Sequence, residues 1–192
     1  MENSKKQQNE VKPVDHRKII TMANYIIKAT NEYNNRQGDL DNIVLLSPTR
    51  LQKIIFFSDV LYMLEHNGQS MHEENYYAWP SGPAVLIIYN EFLEVGSQDF
   101  GKMKPHEDKN LPEGLPQDIT NAIDSVLEAT YNVGTVELAA ESKKLKSWQV
   151  AHKKALFKNS LVERVSKESI YSFYKDRQAP YIKTNIESEQ EK

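Results

Sequence analysis

One segment of the sequence is bounded by both a helix start signal and a helix stop signal. Ser47 can cap a helix whose first residue is Pro48, and Asn67-Gly68 favours a left-handed end. Apolar side chains recur between these limits at helical spacing: Leu51, Ile54, Ile55, Leu61 and Tyr62. A second apolar stripe over 19–30 follows Asp15, a plausible N-cap. The sequence therefore predicts two amphipathic helices that pack on each other.

The segment after the second predicted helix has the residues of a strand and a turn. Residues 73–79 contain Tyr76, Tyr77 and Trp79, which favour extended structure, and Pro80-Ser81-Gly82-Pro83 breaks any regular element. We expect a short strand that leads into a rigid turn. A third helix is predicted from near Ala84 to Gly96, with these residues on its core face: Val85, Ile88, Tyr89 and Phe92.

Residues 97–116 contain three prolines, and their length predicts a mobile surface loop. Further helices are expected over 117–131, from a cap at Thr135 to Ser142, from Trp148 onward, and after a cap at Ser166. The predicted fold is therefore mainly α, a bundle of about six or seven helices with a short strand or small sheet near 73–80. It forms a single domain over 15–182, between a disordered tail at 1–14 and a frayed acidic tail at 183–192.

Composition limits the cellular setting. The chain has no cysteine, which excludes disulfides, thiolate metal sites and a cysteine nucleophile. Its N-terminus lacks the apolar region of a signal peptide, and no apolar run approaches the roughly 20 residues of a membrane span. We expect a cytoplasmic protein with no membrane partner.

Charge is distributed unevenly along the chain. Residues 73–141 hold 13 acidic and 3 basic residues, a net of −10, whereas residues 142–167 hold 8 basic residues and 1 acidic residue, a net of +7. This asymmetry fits either a bipolar molecule that steers a charged partner or a set of solvated helix faces.

The residue patterns of common catalytic sites are absent from the sequence. The spacing of His66 and His72 suits no zinc motif, none of the seven glycines forms a phosphate loop, and Ser81 lacks the glycines of a nucleophile elbow. We therefore expect no enzyme, no metal and no cofactor. The basic 143–167 region could face phosphates, but the acidic half of the chain would repel a duplex, so nucleic acid is not the expected partner.

Three motifs resemble a known family. They are the 51–57 run Leu-Gln-Lys-Ile-Ile-Phe-Phe, the 77–85 run Tyr-Ala-Trp-Pro-Ser-Gly-Pro-Ala-Val, and the 89–92 run Tyr-Asn-Glu-Phe. In order and spacing they resemble the Panacea domain of SocA-like antitoxins and related phage-associated proteins. The resemblance extends over roughly 19–175, although Lys143 stands where the family usually has histidine and Ser147 where it usually has proline.

The resemblance implies an antitoxin that binds and neutralises a cognate toxin by direct contact. It also leaves open an adaptor that delivers a client to a AAA+ protease. A DNA-binding phage accessory protein that uses the 143–167 helices is a further alternative.

Seven residues are candidate partner-binding positions: Lys53, Trp79, Gly82, Pro83, Tyr89, Lys143 and Trp148. Several also have structural interpretations. Trp79 and Trp148 are expected in the core, Gly82 and Pro83 should fix the backbone before the third helix, and Tyr89 is core by period. Lys53 lies beside the apolar stripe, where it could pair with Glu91 or reach a partner.

Overall fold

The computed structural model describes residues 14–37, 43–92, 103–177 and 181–182 of the chain. Its elements follow in chain order: α1 Arg17–Arg36, α2 Pro48–Glu65, β1 Tyr76–Trp79, β2 Gly82–Val85, α3 Leu86–Phe92, α4 Gln117–Thr130, α5 Thr135–Ser142, α6 Lys146–Lys158, β3 Arg164–Val165 and α7 Lys167–Lys175. The prediction of a mainly α fold with a small sheet is confirmed.

Helix α2 is the centre of the fold. Its predicted limits are confirmed, because the Ser47 hydroxyl accepts a hydrogen bond from the Arg50 N–H at 3.1 Å and both Asn67 and Gly68 have positive φ. The prediction that α2 is amphipathic is wrong. Helices α1, α4, α5 and α7 pack around it, so its polar side chains are buried with the apolar ones. A helix covered on all sides has no solvent face for polar residues to occupy.

Strands β1 and β2 form an antiparallel hairpin in which Trp79 pairs with Gly82 and Tyr76 with Val85. The predicted third helix therefore begins two residues later than expected, at Leu86, because Ala84 and Val85 continue the strand. Gly82 has a φ of 99°, which lets the chain reverse after Pro80 and Ser81. The predicted end at Gly96 lies outside the described residues.

Strand β3 pairs with the other edge of β1, which gives the sheet order β2-β1-β3. Because β3 directly precedes α7, this pairing connects the hairpin to the C-terminal helix α7. A single cluster of buried side chains runs from Ile19 to Ile182.

The helix start at α1 differs slightly from the prediction. The helix begins at Arg17 after His16, while the Asp15 carboxylate accepts a hydrogen bond from the Arg17 N–H at 3.1 Å. Residues 103–116 lie against this helix. The side-chain amide of Asn24 exchanges two hydrogen bonds with the backbone of His106, at 3.0 and 2.6 Å. The predicted mobility of 97–116 stays a prediction, and 97–102 lie outside the described residues.

The C-terminal helices follow the predicted order. Helix α4 has the predicted extent, and the Ser166 hydroxyl caps α7 by accepting from the Ser169 N–H at 3.1 Å. Two starts differ: Gly134 and not Thr135 is the N-cap of α5, and α6 begins at Lys146, before Trp148.

The predicted tails at 1–14 and 183–192 fall almost wholly outside the described residues. Within the described ranges, no helix combines the length and apolarity needed to cross a membrane.

Candidate interaction site

The tip of the β1–β2 hairpin lies on a buried lysine. Lys53 of α2 is only 1% exposed, and its Nζ donates a hydrogen bond to the Pro83 carbonyl oxygen at 2.6 Å. The expected pairing with Glu91 is wrong, since that carboxylate lies 2.9 Å from Nε2 of His106. The alternative, that Lys53 reaches a partner, stays a prediction; in the structure its amine lies beneath Gly82 and Pro83. This hydrogen bond therefore ties the hairpin to α2.

Burial has an electrostatic cost at this position. Removal from water lowers the pKa of Lys53 to about 7, and the neighbouring Lys143 charge acts in the same direction. Within the described ranges, no carboxylate forms an ion pair with this amine. Burial thus favours the uncharged form of the Lys53 amine.

Gln52 fixes the same hairpin along its outer edge. Its side-chain amide donates to the Val85 carbonyl oxygen at 2.8 Å and accepts from the Val85 N–H at 2.9 Å. The amide therefore satisfies backbone groups that β1 does not pair. Sequence reasoning missed this role, although a glutamine and a lysine set directly before the apolar run 54–57 were the available signal.

Trp148 is buried, at 7% exposed, as the sequence predicts for a core residue. Its Nε1 donates to the Trp79 carbonyl oxygen at 3.1 Å, and its ring stacks on His152. Nδ1 of His152 in turn lies 3.0 Å from the Ala78 carbonyl oxygen. Helix α6 is thereby attached to β1.

Four of the seven candidate partner-binding positions are buried in the structure. These residues expose little surface to a partner: Lys53, Gly82, Pro83 and Trp148. Their contacts are internal and support the hairpin and α6. Lys143 is half-buried just after α5.

Trp79 and Tyr89 form an aromatic pair that reaches the surface. Their ring centroids lie 4.8 Å apart in an edge-to-face arrangement, and Tyr89 is 39% exposed. The expectation that Tyr89 is a core residue is wrong. Helix α3 begins at Leu86, and its buried side chains are Ile88 and Phe92, one helical turn apart. Trp79 is half-buried, and its Nε1 donates to the Leu161 carbonyl oxygen at 2.9 Å.

A second exposed region lies beside this pair. Five of the nine large hydrophobic side chains that are exposed in the described residues fall within 150–162: Val150, Leu156, Phe157, Leu161 and Val162. We call the exposed side chains of residues 146–162 the α6 surface. The surface also presents lysines 146, 153, 154 and 158. Large apolar side chains clustered in water are typical of interaction sites.

A polar cluster lies inside the protein, away from these surfaces. Asp59 is fully buried and accepts hydrogen bonds from the Ser70 hydroxyl, the Met71 N–H and the Tyr76 hydroxyl, the last at 3.1 Å. Nε2 of His72 lies 3.0 Å from the Tyr76 hydroxyl oxygen. The cluster links α2, the following turn and β1.

His72 is neutral in this cluster. Burial lowers the pKa of His72 to about 4, and this effect outweighs the attraction of Asp59, whose Oδ2 is 3.5 Å away. The contact is therefore not an ion pair. Burial also raises the pKa of Tyr76 well above its usual value, and Asp59 adds to the shift. In the described part of the chain, no group of three histidine, aspartate or glutamate side chains could hold a metal ion.

Comparison with known proteins gives one result. A family model described as "Antitoxin SocA-like, Panacea domain" matches residues 51–149. The match begins in α2 and ends in the first turn of α6, so it contains the hairpin, Lys53 and Trp148 but not Phe157. Neither a curated protein nor a solved structure matches the chain.

Proposed function

Because the chain belongs to the SocA-like antitoxin family with a Panacea domain, we propose that it neutralises a cognate toxin by direct contact in the cytoplasm. In this proposal the protein acts as a binding partner and catalyses no reaction. Its effect comes from covering a part of the toxin that the toxin needs for its own activity.

The observation that supports this function is the apolar surface formed by the aromatic pair and the α6 surface. Phe157 is 93% exposed and Leu161 is 65% exposed. Exposed aromatic side chains such as Phe157 contribute much of the affinity at protein interfaces, because each buries a large area at a low cost in conformational entropy.

The position of the aromatic pair is fixed by the protein itself. Trp79 ends β1, its carbonyl oxygen accepts from Trp148, and its indole N–H donates to Leu161. A binding group held in place before contact loses little freedom on association, which favours affinity. The buried family motif and the exposed pair are thus connected: Lys53 and Gln52 support the hairpin, and the hairpin presents Trp79.

A growth experiment tests the proposal. The product of the neighbouring gene is expressed alone and together with this chain, and growth, co-purification and the half-life of the neighbouring product are measured. We expect the neighbour to arrest growth alone, to be harmless with this chain, and to co-purify with it at an unchanged half-life.

Two results would count against the proposal. If the neighbouring product is harmless when expressed alone, there is no toxin there for this chain to neutralise. If the half-life of the neighbouring product is shorter in the presence of this chain, the chain delivers it to a protease and does not neutralise it by contact.

A further inference from the structure

The outward side of α6 combines apolar and basic side chains in one stripe. Val150, Lys153, Lys154 and Phe157 follow the spacing i, i+3, i+4 and i+7, which places them on one face of a helix. Val150 is 55% exposed and Phe157 is 93% exposed. A helix face exposed to water is ordinarily polar throughout, so the two apolar residues need another explanation.

Ion pairs within the described residues balance only part of the positive charge of this region, through Lys144 with Glu141 and Lys158 with Glu163. Residues 142–167 contain eight basic residues and one acidic residue, Glu163. The Glu163 carboxylate is already 2.6 Å from the Lys158 amine. In the ranges that the structure describes, Lys153 and Lys154 form no ion pair. The α6 surface therefore presents a positive field without a counter-charge of its own.

The loop after α6 extends this surface with two more apolar side chains. Asn159 ends the helix in a left-handed conformation, and Leu161 and Val162 follow at 65% and 64% exposure. The loop is held by two hydrogen bonds, from Trp79 Nε1 to the Leu161 carbonyl oxygen and from the Ala78 N–H to the Glu163 carbonyl oxygen, both 2.9 Å. Its exposed side chains are thus presented on a fixed backbone.

We propose that the α6 surface binds an acidic segment of the toxin that also carries apolar side chains, with Phe157 as the central anchor. The inference rests on the proposed function and adds the chemistry of the partner and the place of contact. Carboxylates of the partner would meet Lys153 and Lys154, and its apolar side chains would cover Val150, Phe157, Leu161 and Val162. Charge complementarity of this kind speeds association and selects among partners, while the buried aromatic group slows dissociation.

A protein segment fits this surface better than nucleic acid does. Nucleic acid is bound by cations along its phosphates and by flat aromatic or guanidinium groups on its bases. Phe157 offers a base a flat face, but Leu161 and Val162 are aliphatic, have no such face, and would lie against a charged backbone. An acidic protein segment with apolar residues satisfies both the lysines and the aliphatic side chains.

Binding of the neighbouring gene product to the purified chain tests the inference. The variants are Phe157→Ser, the double charge reversal Lys153→Glu/Lys154→Glu, the matched control Lys153→Arg/Lys154→Arg, and Val136→Ser. Val136 is 84% exposed on α5 and is therefore an apolar control outside the α6 surface. Circular dichroism and thermal unfolding establish that each variant is folded, and the changes lie on exposed positions where the fold tolerates substitution.

We expect Phe157→Ser to raise the dissociation constant at least about tenfold, mainly through faster dissociation. The charge reversal should lower the association rate by about tenfold at low salt, and this loss should shrink as salt is added. The arginine pair keeps both positive charges, so its association rate should fall much less than that of the charge reversal. Val136→Ser should bind like the wild type.

Three outcomes would overturn the inference. If Phe157→Ser and the charge reversal bind and rescue growth like the wild type, the α6 surface is not the contact, and the proposed antitoxin function stands. If the wild type neither binds nor rescues, both proposals fail. If a short DNA duplex binds the wild type at low salt, and the neighbouring product does not compete for the site, the surface serves nucleic acid.

Discussion

The hydroxyl oxygen of Ser142 lies only 2.3 Å from the position that a Cβ atom on Gly82 would occupy, too close for both atoms. The Lys53 amine would be 2.9 Å from the same Cβ. Gly82 has a φ of 99°, a conformation that residues with a side chain rarely adopt. The close approach of β2, α2 and α5 therefore depends on the absence of a side chain at this one position.

Gly82→Ala should destabilise the protein by about 3 kcal/mol, because backbone strain and overpacking act together. Urea unfolding measures the change. Gly114→Ala is the matched control, since a Cβ there would meet no atom within 4 Å. We expect the control to unfold like the wild type.

The double variant Gly82→Ala/Ser142→Ala separates the two causes. Removal of the Ser142 hydroxyl relieves the closest contact but not the strain, so the double variant should recover part of the loss. Equal stability of the single and double variants would mean that the hydroxyl is not the obstacle.

Lys53→Met should change how stability depends on pH. In the wild type the folded pKa of Lys53 is about 7, below the ordinary value of 10.5. Between these values the unfolded chain binds a proton that the folded chain lacks, so the stability contribution of this residue rises by about 1.4 kcal/mol per pH unit. The methionine variant lacks this contribution.

The free energies of unfolding of the wild type and Lys53→Met are measured in urea from pH 7.5 to 9. Other groups titrate alike in both proteins, so their contributions cancel in the difference between the two free energies. We expect the wild type to gain stability over Lys53→Met as the pH rises. A constant difference across this range would show that Lys53 titrates with its ordinary pKa.

His72→Gln should act at the acidic end of the pH scale. The folded pKa of His72 is about 4 and its ordinary pKa is 6.5, so the unfolded chain binds the extra proton between these values. Wild-type stability from this residue is therefore lost as the pH falls, by about 1.4 kcal/mol per pH unit. Chemical unfolding at pH 7, 6 and 5 should show the wild type losing stability relative to the variant. Parallel curves would contradict a neutral buried imidazole.

Tyr89→Ala should weaken toxin binding by about tenfold if the aromatic pair is part of the contact. Its effect on folding should be small, about 1 kcal/mol, because the side chain is partly exposed and loses mainly its contact with Trp79. Leu45→Ala is a control, as Leu45 is 60% exposed before α2. Unchanged affinity in Tyr89→Ala would place the contact elsewhere.

Local signals in the sequence were sufficient for most helix limits. Ser47, Ser166 and the Asn67-Gly68 stop act through hydrogen bonds and backbone angles within a few residues, so their outcome does not depend on the rest of the fold. The start of α3 could not be read in this way. Ala84 and Val85 are in a strand because β1 lies beside them, and that pairing is a tertiary effect.

The candidate site was only partly predictable for the same reason. Trp79 was identified from its motif, but the exposure of Tyr89 depends on where α3 begins. The position of Lys53 beside the apolar stripe suggested an ion pair with Glu91 or a partner contact, and only the folded hairpin supplies the Pro83 carbonyl that makes its burial possible. Phe157 was visible as an aromatic residue among lysines, yet its full exposure required the orientation of α6.

The enclosure of α2 has a consequence for the order of events during synthesis. Helix α2 is made before α4, α5 and α7, three of the helices that cover it. Until α7 is available, the apolar sides of α2 stay open to water and to other nascent proteins. Folding around α2 therefore cannot be completed before α7 is made, and a fragment that ends before α7 should leave this side of the helix exposed and be prone to aggregation.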